Sequence, residues 1–131
     1  EGDPNEQGFD HFFGYICQRV AHNYYPDHLH RNQQKISINP DGNEVDYSPD
    51  LMVGEALDFL DNTKGKPFMM IYATPVPHLA LQVPQDSLDE YIGAFDETPY
   101  DGSSGYRPHH APRAAYAAMI TRMDRDIGNI L

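Results

Sequence analysis

The stretch that most constrains the fold is YSPDLMVGEALDFLDNTKGKPFMMIYATPVPHLALQVP, residues 47–84. It sets a strongly signalled helix directly before an unbroken apolar run, then closes that run with prolines. Ser48 suits an N-cap, Pro49 the first helical position, and Asp50 the positive end of the helix dipole. Met52, Ala56, Phe59 and Leu60 fall on one face, while Glu55, Asp58 and Asp61 mark a wet face. Gly65 is placed to end the helix in a left-handed cap, so the pattern predicts a helix over 49–62. Residues 68–73, FMMIYA, carry no polar alternation. Such a run reads as a strand covered on both faces, the kind found in parallel sheets flanked by helices. A capped helix followed at once by a buried strand is half of a βαβ unit, so the expected fold class is α/β.

The rest of the chain is less regular. FDHFFGY, residues 9–15, suits a short strand or a buried turn, and KISI, residues 35–38, a short edge strand, with NPDGNE as a turn signal after it. Residues 74–112 form a long proline-rich loop with one or two helical turns expected in SLDEYIG; loops of such length are functional or disordered. A closing helix is expected from about residue 112, with Tyr116, Met119, Ile120, Met123, Ile127 and Ile130 as its apolar stripe. That pattern reaches Leu131 without a stop signal, and the chain opens at Glu1 without a methionine. Residues 1–131 are therefore expected to be the middle segment of a larger domain, marginally stable alone.

Charge narrows the partners. Asp and Glu number 20 against 9 Lys and Arg, a formal net charge of −11, and a surface this acidic repels phosphate backbones and anionic lipid. No apolar run approaches the length of a membrane span. The single cysteine, Cys17, excludes an internal disulfide.

His78 is the first candidate for chemistry. It stands five residues beyond the apolar run in TPVPHLALQVP, framed by prolines that reduce the entropy lost in placing it. Ligands of α/β sheets bind beyond the carboxyl ends of the strands. An imidazole there can donate to an anion or protonate a leaving group; the alternative is a turn histidine capping a backbone carbonyl. His22, His28 and His30 include a His-x-His pair, but nothing near them completes a metal set, and a surface or a pocket wall is the other reading. Cys17, beside Arg19, reads as a small core residue rather than a nucleophile. His109 and His110 are expected to be solvated, and Asp124 to be a structural carboxylate that pairs or caps locally.

Three stretches together are similar to one family. GFDHFFGYICQRVAHNYYPDHLHRN, YSPDLMVGEALDFLDNTKGKPFMMIYATPVPHLALQVP and GYRPHHAPRAAYAAMITRMDRDIGNIL resemble, in this order, the sulfatases, and most closely the arylsulfatase-like members of the alkaline phosphatase superfamily. The resemblance implies an alkaline-phosphatase-like sandwich with a central mixed, mostly parallel sheet flanked by helices. It implies hydrolysis of sulfate esters, small molecules or sulfated sugars, by a formylglycine nucleophile with a divalent cation, usually calcium. On that pattern His78 matches the family histidine that contacts the sulfate group, and is both the catalytic and a substrate-binding candidate; His22 falls where related enzymes line the substrate pocket. Cys17 does not match the nucleophile motif, because Arg19 and Ala21 stand where it needs proline and arginine. The nucleophile and the metal ligands are therefore expected outside this segment, with no metal ligand inside it and no activity for the segment alone. Family members are often exported, which points to a periplasmic or secreted setting. A phosphate- or phosphonate-ester hydrolase of the same superfamily, and a degenerate non-catalytic binding module, are the alternatives.

Overall fold

The computed structural model describes residues 2–131, which divide into two compact units, the first up to Thr74 and the second Pro75–Leu131. The first unit holds a three-stranded antiparallel sheet in the order β1 (Phe13–Gly14), β2 (His28–Arg31), β3 (Gln34–Ser37). Phe13 pairs with Arg31 and Gly14 with His30; across the hairpin, His28 pairs with Ser37 and Arg31 with Gln34. The hairpin turns at Asn32, whose φ of 51° is left-handed, a conformation asparagine tolerates. Its side chain completes the corner, since Asn32 Oδ1 accepts from the Phe12 amide at 2.8 Å and from Asn5 Nδ2 at 3.2 Å. β3 is the expected edge strand, set one residue earlier than KISI.

The helix expected over 49–62 is present as α1 (Ser48–Asn62). Ser48 is not its cap. Tyr47 occupies that position without a side-chain bond, and the buried Ser48 hydroxyl instead donates to the Tyr24 carbonyl at 2.9 Å and bonds the Tyr15 hydroxyl. At the other end Thr63 caps, its Oγ1 donating to the Phe59 carbonyl at 2.8 Å, while the left-handed Gly65 lies two residues further on. Glu55 is not on a wet face either. Arg31 grips it with two hydrogen bonds, Nε to Oε1 at 3.0 Å and Nη2 to Oε2 at 2.6 Å, and His11 Nε2 meets Oε1 at 3.0 Å. The guanidinium also lies 5.2 Å from the centre of the Phe13 ring, so one residue ties α1 to β1 and β2.

The core of this unit is built from Tyr24, Leu29, Tyr47, Val53 and Ala56, with Tyr24 and Tyr47 edge to face at 6.1 Å. Asn39 is buried among them and satisfied at four points: Nδ2 donates to the Pro26 and Asp46 carbonyls, and Oδ1 accepts from the Val45 and Asp46 amides, all between 2.8 and 3.1 Å.

Residues 68–73 depart from expectation. They pair with no strand among the described residues, and Phe68, Met69 and Ile71 are 51, 69 and 68% exposed. A strand exists only where a neighbouring strand offers a ladder of hydrogen bonds and both faces are covered; here Phe59 meets Phe68 edge to face at 5.6 Å and Met70 and Tyr72 are half-buried, while no described strand pairs with the run. The sheet that is present is antiparallel.

In the second unit α2 (Gln85–Asp89) packs against α3 (Pro112–Ile130), with Leu88, Ala111, Ala114 and Ala115 buried between them and Leu81, Val83 and Tyr91 at the margin. α3 begins at Pro112, as expected; of its expected stripe Met119 is buried and Met123 and Ile130 are half-buried, but Tyr116, Ile120 and Ile127 are exposed, and Ala114, Ala115 and Ala118 share the buried face with Met119. Its first turn is capped from outside the helix, because Glu97 accepts the Arg113 amide at 3.0 Å and the Ala114 amide at 2.8 Å. A carboxylate there meets both orphan donors and the positive end of the dipole. Asp124 is exposed; the buried carboxylate of α3 is Asp126, two residues on, with Arg125 Nη2 at 3.2 Å.

Candidate functional site

His78 sits in the second unit on a turn built by its prolines. Its amide donates to the Pro75 carbonyl at 3.0 Å across a cis Val76–Pro77 bond. Val76 and Ala80 are buried on either side while His78 itself is exposed. The flanking residues thus anchor the turn and leave the imidazole on the surface, where a ligand can reach it. Tyr106 stands beside it, ring centroids 6.0 Å apart and tilted by 50°, with the Tyr106 hydroxyl 3.5 Å from His78 Nδ1.

The long loop that carries Tyr106 is closed at its neck. Tyr100 and His109 exchange backbone hydrogen bonds of 2.9 Å in both directions. His109 is half-buried rather than solvated; its Nδ1 accepts from the Ala111 amide at 3.0 Å and its ring stacks on His110 at 5.1 Å. Burial holds the His109 imidazole below its usual range, and the neighbouring His110 pushes the same way.

His22 lies in the first unit, exposed, at the end of a short 3-10 turn, Val20–His22. The two sequence candidates therefore belong to separate units. Cys17 starts the same turn, its carbonyl accepting from the Val20 and Ala21 amides. It is exposed rather than part of a core. Hydrogen bonds from the Val20 and then the Arg19 backbone, with the Arg19 charge, hold its thiol below the ordinary value. His28 and His30 share a face of β2 with rings 5.6 Å apart, and His28 Nδ1 bonds Asp27 Oδ1 at 2.6 Å.

Among the described residues, no group of three His, Cys, Asp or Glu side chains is arranged to hold a metal ion, and no helix is long and apolar enough to cross a membrane. What the sequence did not single out is Tyr106: it lies 28 residues from His78, and only its place in a glycine-flanked loop sets it apart. Compared with known families, the chain matches the model described as sulfatase over residues 1–131, its whole length.

Proposed function

Since the chain belongs to the sulfatase family, we propose that it is a segment of a sulfuric ester hydrolase of the arylsulfatase-like kind, with His78 in the sulfate site and His22 at the substrate pocket. The observation that carries this reading is the exposed imidazole on an anchored proline turn within a chain that matches the family from end to end. Its chemistry suits the role. A neutral imidazole donates a hydrogen bond to an anionic oxygen, and a protonated one can pass its proton to a departing alkoxide or phenoxide. Fixed donors of this kind act by stabilising charge that develops at sulfur-bound oxygens in the transition state. In this reading residues 68–73 take their place in a mixed, mostly parallel sheet of the whole domain, which would cover the apolar side chains that these units leave open.

The family implies a divalent cation, which neutralises sulfate oxygens when bound. In this reading calcium and the formylglycine nucleophile belong to other residues of the whole enzyme, and the segment alone is inactive. A sulfate ester, small or on a sugar, is the proposed substrate.

The test is steady-state hydrolysis of an aryl sulfate and of the matching aryl phosphate by the enzyme that contains this segment. Sulfate is expected to be preferred, with His78→Gln lowering kcat by about 10²-fold or more and His22→Ala acting chiefly on KM. Preference for phosphate would move the assignment to a phosphate-ester hydrolase. Turnover of neither, with sulfate still bound, would make it a binding module.

A further inference from the structure

We infer that Tyr106 is a positioning residue for His78, donating its hydroxyl proton to Nδ1 and so keeping the imidazole proton on Nε2, the nitrogen that then serves a sulfate oxygen or a leaving oxygen. This rests on the reading of His78 as the sulfate-side imidazole. A neutral imidazole has one donor and one acceptor nitrogen, and whichever bond is fixed at one of them decides the other.

Both partners are held by backbone rather than by chance contact. His78 is fixed by its amide bond to Pro75. Tyr106 is half-buried in a loop with a bonded neck between Tyr100 and His109. Inside that neck the Gly105 amide donates to the Gly102 carbonyl at 3.1 Å, Ser104 to the Tyr100 hydroxyl oxygen at 2.8 Å, and Ser103 to Asp101 Oδ1 at 2.9 Å. Gly102 has φ +88°, and a Cβ on it would come within 3.1 Å of Pro108 Cγ and 3.2 Å of the Tyr106 carbonyl oxygen. The backbone that carries Tyr106 is thus closely packed at Gly102, where the positive φ strains any residue with a side chain. The Oη–Nδ1 separation of 3.5 Å is long for such a bond. Catalytic hydrogen bonds commonly tighten only when ligand arrives.

The first experiment reads the imidazole directly, by long-range ¹H–¹⁵N correlation on the whole chain with ¹⁵N-labelled histidine, the His78 signal being assigned through His78→Gln. At alkaline pH the chain is expected to show a pyridine-like Nδ1 and a pyrrole-like Nε2, and Tyr106→Phe, which keeps the ring, to return the pair towards a mixture. The second measures Tyr106→Phe in the enzyme that contains this segment, where kcat on an aryl sulfate is expected to fall roughly 10- to 100-fold with KM changed less than about threefold. Nitrogen shifts that are the same with and without the hydroxyl overturn the positioning role, whatever the kinetics. Turnover untouched by His78→Gln overturns the sulfate-site reading beneath it, even if the shifts respond to Tyr106.

Discussion

Asn39 makes four hydrogen bonds where water does not reach. Truncating it leaves two carbonyls and two amides of the Pro26 and Val45–Asp46 backbone without partners. Asn39→Ala is expected to destabilise the first unit by about 2–3 kcal/mol or more, read as a lower urea midpoint with unchanged slope. Two residues set limits in pH. Burial pushes the Tyr15 phenol up to about 12 from 10.0, against the hydrogen bond with Ser48, which pulls it down. The unfolded chain therefore loses that proton first, and stability is expected to fall as pH rises from about 10 towards 12, with the Tyr15 absorbance step delayed. His109 works in the opposite sense. Its imidazole sits below 6.5 because it is buried, and Nδ1 must stay unprotonated to accept from Ala111. The unfolded chain takes up that proton first, so stability is expected to decline as pH drops below 6.5, and His109→Asn to flatten that decline.

Among the elements, α3 depends on a carboxylate sixteen residues upstream of Arg113. Glu97→Gln keeps one of the two acceptor oxygens, puts a donor amide in place of the other and removes the charge, and is expected to cost about 1 kcal/mol, with faster amide exchange at Arg113 and Ala114. The two long helices were legible because their signals are local: Pro49 and Pro112 at the start and a helical spacing of apolar residues behind each. The same locality explains what was not. Residues 68–73 have every side chain a buried strand wants, but a strand is defined by its neighbours, and the sequence of one segment does not hold them. Glu55 sits at the spacing of a solvent face, yet Arg31, 24 residues away, turns it inward. The stripe of α3 was read from its large side chains, whereas α2 approaches closely over alanines. At the site, the prolines made the His78 turn readable, while Tyr106 reaches it only through the fold of an intervening loop.

At the scale of the whole molecule, family membership was legible because motif order survives where pairing does not. The exposed Phe68, Met69 and Ile71 are an apolar patch on an otherwise acidic chain. The isolated chain is expected to bind a hydrophobic dye such as ANS, and Phe68→Ser with Ile71→Thr to reduce that binding without loss of helical ellipticity. Dye binding unchanged by the pair would place the apolar surface elsewhere. The neck between Tyr100 and His109 has a different consequence. Because two backbone bonds close it, whatever lies at 101–108 can be lengthened, shortened or exchanged without disturbing the start of α3. The neighbour of His78 is thereby carried on a cassette whose exchange is expected to leave the folding of α3 intact.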